Sequence, residues 1–259
     1  MKPEKVALVT GAGSGIGRAA ALALAAEGYA VGALSHTPDE IEKLVEEIKD
    51  KGGKAVTLVA DVSEENEMAK AVETLVETFG RLDTVVANAG INGVWAPIDD
   101  LKTEEWDKTI NVNLRGTYLT INKTVPHMKN AGGGSIIIVS SINGTRTFTS
   151  PGATAYSVTK AGQLAMAQQL ALELGQHNIR VNAVCPGAIE TSIDDNTHIR
   201  DADETEVPVE WPEGDIPITG GKAGRADEVA DLIVFLASEK SRHITGSPVW
   251  IDGGQGLLR

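Results

Sequence analysis

Two hydrophobic rhythms alternate along this chain. Short apolar runs rich in β-branched residues mark strands, and between them apolar residues return every three or four positions, the spacing of an amphipathic helix. The runs that predict strands are Lys5–Thr10, Ala30–Ser35, Ala55–Ala60, Thr84–Ala87, Ser135–Ser140, Ile179–Val184 and Pro248–Ile251. The helical stretches are an Ala-rich segment ending near Gly28, then Pro38–Lys51, Glu64–Phe79, Glu104–Met128 and Ala155–Gln176. Strands separated by helix-length segments build βαβ units, so the pattern predicts an α/β fold with a doubly wound parallel sheet of seven strands. No linker or internal repeat divides residues 1–259, which predicts a single domain.

One segment breaks the rhythm. From Asp194 to Asp215 it carries nine carboxylates against Arg200, with Pro208, Trp211 and Pro212 among them. Acidic, proline-containing and aperiodic, it predicts a mobile flap at about 191–222 over a substrate site.

Composition narrows the partners. A formal net charge of −13 repels phosphates and so excludes a non-specific nucleic-acid or anionic-membrane partner. No apolar run approaches the ~20 residues that span a bilayer, and no signal-peptide core follows Met1. Cys185 is the single cysteine, compatible with a reducing compartment, so a soluble, cytoplasmic protein is expected. Its buried, small apolar character is the expected use of that thiol. His127, His177, His198 and His243 lack metal-ligand spacing, and no metal is expected.

Candidate chemistry begins where the first strand meets the first helix, at Thr10-Gly11-Ala12-Gly13-Ser14-Gly15-Ile16-Gly17. A pyrophosphate needs backbone N–H donors at a helix N-terminus with no Cβ in the way, which glycines provide. Such a turn by itself also serves as a tight connection; its place after a strand and before a helix favours the dinucleotide reading. An acid about 20 residues on would hold the ribose hydroxyls, but Ser35-His36-Thr37 stands there. Without that acid a 2′-phosphate is not repelled, and the balance leans to NADP(H), although no Arg or Lys is present to bind one. An exposed loop histidine and an adenosine contact fit His36 equally.

A second constellation is Tyr156-Ser157-Val158-Thr159-Lys160, at the start of a helix. Residues at i and i+4 share a face, so phenol and ammonium point into one cleft. A phenol titrates at ~10 in water and is a poor base near neutrality; a fixed positive charge beside it favours the phenolate. Tyr156 would then give a proton to a carbonyl oxygen or take one from an alcohol. Ser141 ends an apolar strand, at the carboxyl end where ligands sit in a parallel sheet, and would hold the substrate oxygen. Strand termination alone also accounts for Ser140 and Ser141.

The spacing Gly11-x3-Gly15-x-Gly17, with Tyr156-x3-Lys160 and Ser141, resembles the short-chain dehydrogenase/reductase family, near its 3-oxoacyl-[acyl-carrier-protein] reductases and polyol/sugar dehydrogenases. The resemblance runs from Val6 to Ile251-Asp252-Gly253-Gly254 and implies a Rossmann-type fold, an NAD(P)(H) cofactor and a homotetramer joined by the two long central helices. It implies a catalytic set of Asn113, Ser141, Tyr156 and Lys160, with Asn113 fixing a water that links the lysine to solvent; Asn111 is the rival position. Asn88-Ala89-Gly90 resembles the turn that supports the sheet and approaches the cofactor. Asp61-Val62 resembles the adenine-recognising pair, although Asp61 also suits a helix cap. Pro186-Gly187-Ala188-Ile189-Glu190-Thr191 resembles the nicotinamide loop, with the Ile189 backbone and the Thr191 hydroxyl on the carboxamide. Two features depart from the family pattern: the Ser141–Tyr156 stretch is about two residues longer, and a short tail, Gln255–Arg259, is expected to touch a neighbouring subunit.

The resemblance thus implies a short-chain NAD(P)-dependent alcohol dehydrogenase or carbonyl reductase, with a small-molecule carbonyl or secondary alcohol as substrate. The alternative is a non-catalytic dinucleotide-binding or scaffold protein on the same fold. A sugar-nucleotide epimerase shares the Tyr/Lys pair but needs a longer chain and different glycine spacing. Trp95, Phe148 and Trp211 suit either core packing or an apolar pocket wall.

Overall fold

The computed structural model describes residues 5–191, 193, 196–205 and 216–258. Asp194, Asp195, Trp211 and residues 206–215 of the expected flap lie outside them.

Seven strands form one parallel sheet: β1 Val6–Thr10, β2 Ala30–Ser35, β3 Lys54–Val59, β4 Thr84–Ala87, β5 Gly134–Val139, β6 Ile179–Pro186 and β7 Pro248–Ile251. Across the sheet they run β3-β2-β1-β4-β5-β6-β7, every pair parallel. The strand order reverses between β1 and β4, which opens a crevice beyond their carboxyl ends. Thr10 and Ala87 close those two strands, so the glycine turn and Asn88 face each other across it.

Alternate residues of each strand feed two separate cores. Val6 and Leu8 pack with the helices α3 (Glu65–Phe79), α5 (Gly116–Ala131) and α6 (Thr154–Gly175). Ala7 and Val9 pack with α1 (Gly15–Ala26), α2 (Pro38–Asp50) and α7 (Ala226–Ala237). Helix α2 shows why these stretches fold as they do. Pro38 sits in its first turn, and Ile41, Leu44, Val45 and Ile48 make the apolar stripe that it buries. Helix α3 buries Met68, Ala71, Val72 and Leu75 and stops at Gly80, which takes the left-handed conformation at φ 81°.

Two expectations change. The single helix predicted over Glu104–Met128 is broken into α4 (Thr103–Thr109), a π-helical segment Ile110–Arg115 and then α5. The wider π turn carries Asn113, a position apolar periodicity does not register. Part of the expected flap is ordered structure. Thr197–Ile199 forms a parallel strand against Gly93–Trp95, because backbone pairing and ion pairs at Arg200 replace the missing apolar contacts. Among the described residues no helix is long and apolar enough to cross a membrane.

Candidate active site

The glycine turn is bolted to the far side of the crevice. Asn88 donates from Nδ2 to the carbonyls of Thr10 (3.0 Å) and Gly11 (3.3 Å), while the N–H groups of Asn88 and Ala89 donate to Thr10 Oγ1. Gly11 needs φ +63°, and a Cβ on Gly17 would collide with the Gly11 carbonyl oxygen, so both positions exclude side chains. Arg18 N–H is the first to close an intrahelical bond, onto Ser14, and the Ser14 hydroxyl caps nothing. The open first turn therefore presents backbone donors from Gly15, Ile16 and Gly17. This cradle fits a dinucleotide pyrophosphate.

Other predicted cofactor residues gather around it. Thr191 leans over the turn, its Cβ 3.1 Å from where a Cβ on Gly15 would stand. Ile189–Glu190 pairs with Gly224–Arg225, and Gly187 N–H bonds to Ile251. At the adenosine end Ser35 is buried, its hydroxyl accepting from Thr37 N–H, and His36 is exposed. Asp61 is not a helix cap: Oδ1 accepts from Ser63 N–H and Ser63 Oγ, and α3 starts four residues later, at Glu65. The Val62 side chain is buried toward Gly116, so an adenine contact there would come from its backbone.

Sequence spacing missed two residues around the cofactor cradle, one at each end. Glu40, on α2, lays its carboxylate against Gly13, where any Cβ would meet Glu40 Oε2. Gln255 accepts the Ala188 N–H at 2.8 Å, so the tail holds the Pro186–Thr191 loop of its own chain. An acid in the first turn of a helix is ordinary, and neither pairing has a local signal.

Asn113, Ser141, Tyr156 and Lys160 stand at the carboxyl end of the sheet, all buried. Lys160 Nζ donates to the Val139 carbonyl at 3.1 Å and lies 5.4 Å from the centre of the Tyr156 ring. Burial pushes its pKa down to about 8. Ser140 donates to the Lys160 carbonyl and so ties the strand end to α6. Ser141 Oγ accepts from Asn143 N–H at 3.1 Å, a bond that leaves its O–H as a donor. Cys185 is fully buried beside Ser140 and Thr145, and its thiol is pushed up to about 11.

Asn113 is committed on every side. Its amide clasps the Ile91 backbone, accepting from N–H (2.8 Å) and donating to the carbonyl (2.9 Å). Its own carbonyl accepts from Thr117 Oγ1 and Gln163 Nε2, filling both lone pairs. Oδ1 and Lys160 Nζ both hang over Gly90, 3.2 and 3.7 Å from where its Cβ would stand. Asn113 thus fixes the backbone beside the lysine. Asn111 is exposed.

Trp95 also stands beside Tyr156, ring centres 6.3 Å apart. Phe148 instead is 73% exposed. The long Ser141–Tyr156 loop carries Arg146, whose guanidinium lies 4.1 Å from the Trp250 ring centre and pairs with Asp252 at 3.4 Å.

Residues 11–255 match a family described as Enoyl-(Acyl carrier protein) reductase. A 3-oxoacyl-[acyl-carrier-protein] reductase of Thermotoga maritima is 40% identical over 250 residues, covering 96% of this chain and 97% of the relative. A crystal structure of a 3-ketoacyl-ACP reductase from Sinorhizobium meliloti is 66% identical with a TM-score of 0.94, over 98% of this chain and all of that one. Another, from Brucella melitensis and complexed with NADH, is 32% identical with a TM-score of 0.86, over 97% of this chain and 98% of the other.

Proposed function

The chain belongs to the short-chain dehydrogenase/reductase family, and from that premise we propose that it reduces the ketone of a 3-oxoacyl thioester, with Tyr156 as the proton donor. It is an NAD(P)-dependent oxidoreductase that moves a hydride between the nicotinamide and a carbonyl or secondary alcohol. The names of its relatives support the finer substrate class. The observation that carries the proton chemistry is the buried Lys160 ammonium beside the Tyr156 ring.

The nicotinamide, when bound, supplies the hydride. Gly15, Ile16 and Gly17 would hold its pyrophosphate, and Thr191 and Ile189 its carboxamide end. In our reading the Ser141 hydroxyl holds the substrate carbonyl oxygen while Tyr156 Oη delivers a proton to it. The Lys160 ammonium favours the phenolate left behind, at an energy set by low local dielectric. Asn113 keeps the Gly90–Ile91 backbone, and so the lysine, in place. Residues 191–222 are proposed to cover the substrate. We also propose a homotetramer closed through α5 and α6, supported by the exposed Tyr118 and Leu172 on those helices; sedimentation as a monomer at micromolar concentration would overturn it.

The test is oxidation of NADPH and of NADH with a short-chain 3-oxoacyl thioester. Turnover by the wild type and its loss in Tyr156→Phe are expected. Reduction of simple ketones alone would withdraw the thioester, and turnover by the variant would withdraw the tyrosine. A scaffold role without catalysis predicts no hydride transfer with any carbonyl.

A further inference from the structure

The loop after β4 does not cross the crevice alone. Gly93–Trp95 pairs in parallel with Thr197–Ile199, Asn92 Nδ2 donates to Thr197 Oγ1 at 2.7 Å, and Arg200 N–H donates to the Trp95 carbonyl at 2.9 Å. A two-stranded ribbon results, and Trp95 is its last paired residue on one side. Gly152 closes the opposite flank: its carbonyl accepts the Ala96 N–H, and a Cβ on it would strike the Ala96 nitrogen at 2.5 Å.

Arg200 locks this ribbon to the body of the protein. Its Nη1 and Nη2 grip Glu105 in bidentate fashion at 2.9 and 3.0 Å, while Nε pairs with Asp100 and Nη2 also donates to the Asp100 carbonyl. Glu105 accepts the Lys102 N–H as well, so the carboxylate is held by the start of α4 before Arg200 reaches it. A planar guanidinium on a preset carboxylate fixes direction as well as distance.

The Trp95 indole N–H is spent on the Asn92 carbonyl at 3.2 Å. What the ring turns toward Tyr156 is therefore hydrocarbon face and edge. With its ring centre 6.3 Å from that of Tyr156, this apolar surface stands within reach of one arm of a substrate whose carbonyl oxygen meets the Tyr156 hydroxyl.

We propose that Trp95 is the specificity wall for an apolar arm beside the reacting carbonyl, and that Arg200 is the positioning residue that holds the wall in place. The proposal rests on Tyr156 being the proton donor. Arg200 touches no reacting atom in this scheme; it acts through the ribbon.

The experiment is a kinetic cycle of Arg200→Ala, Trp95→Ala and the double variant with a 3-oxoacyl thioester, alongside cofactor binding read by nicotinamide fluorescence. Arg200→Ala should raise the carbonyl KM about tenfold while cofactor affinity stays within about twofold, since a displaced wall costs orientation. In the Trp95→Ala background the same change should add less than about twofold, because the wall is already gone. Glu105→Gln should reproduce part of the effect and Arg200→Lys should restore part of it. An unchanged KM in Arg200→Ala, or an equal rise with and without Trp95, overturns the latch. Wild-type turnover in Tyr156→Phe instead overturns the proton-donor reading beneath it, so the two failures are distinct.

Discussion

Lys160 holds its ammonium 5.4 Å from the centre of the Tyr156 ring and bonds through Nζ to the Val139 carbonyl. One helical turn sets the distance, and the end of β5 sets the direction. Removing the phenol oxygen removes the proton without disturbing this packing. Tyr156→Phe should keep cofactor affinity and lose roughly 10²- to 10⁴-fold in kcat, the range of a single general acid. Steady-state rates with nicotinamide-binding titrations check it.

Burial disfavours the Lys160 ammonium, so between about pH 8 and the ordinary lysine value of 10.5 the folded chain binds fewer protons than the unfolded one. Stability therefore rises with pH across that window; below it both states are charged and the penalty stands in full. Lys160→Met should be more stable than the wild type near pH 7, by on the order of 3 kcal/mol, and the difference should shrink toward pH 10. Urea midpoints at the two pH values measure it. Carbonyl reduction by the wild type should fall as pH rises through about 8, as the ammonium is lost.

The Glu40 carboxylate lies against Gly13, at the adenosine end of the glycine turn. Were the adenosine ribose to reach it, this carboxylate would repel a 2′-phosphate and accept from the ribose hydroxyls, opposing the lean to NADP(H) that the absence of an acid at Ser35-His36-Thr37 gives. Glu40→Lys should raise kcat/KM with NADPH relative to NADH by about tenfold or more, following the arithmetic of one charge reversal at close range. An unchanged ratio would show that this carboxylate turns away from the bound cofactor.

Gly17 cannot carry a side chain, since its Cβ would meet the Gly11 carbonyl oxygen. Gly17→Ala should weaken NAD(P)(H) binding by tenfold or more, about 1.4 kcal/mol or above, and lower the melting temperature, because relieving the clash moves the turn off Asn88. Asn88→Ala removes two bonds to the same turn and should act in the same direction. Calorimetric titration of each variant decides it.

The latch needs no pH adjustment to stay closed. Its hydrogen bonds from Arg200, then from the Lys102 backbone, hold Glu105 down at about 2, and the Arg200 guanidinium is shifted further upward by Glu105 and Asp100. For a depressed carboxylate the stabilising charge is present above its unfolded pKa and is lost only as pH falls through the folded one. The carbonyl KM should therefore not respond to this pair between pH 5 and 9, whereas 0.5 M salt, which screens partly exposed charges, should raise it.

Much of this protein was legible along the chain because local spacing carries the relevant physics. Alternating apolar rhythms determine strands and helices, a glycine run determines where backbone can approach a phosphate, and a four-residue interval determines that Tyr156 and Lys160 share a face. Contacts between distant segments have no such period. The ribbon of Thr197–Ile199 hides in an acidic, aperiodic stretch, and Arg200 and Glu105 are 95 residues apart. Likewise Gln255 reaches Ala188 across 67 residues, and Asn113, on a π turn inside what reads as one helix, meets Ile91 across 22. The sequence alone determined the fold class and the pairing of Tyr156 with Lys160 on one helix face, since both follow from neighbours in the chain. Only the tertiary structure decided what stands around that pair, because walls and latches are made by sheet order and loop packing, which bring together residues that no interval relates.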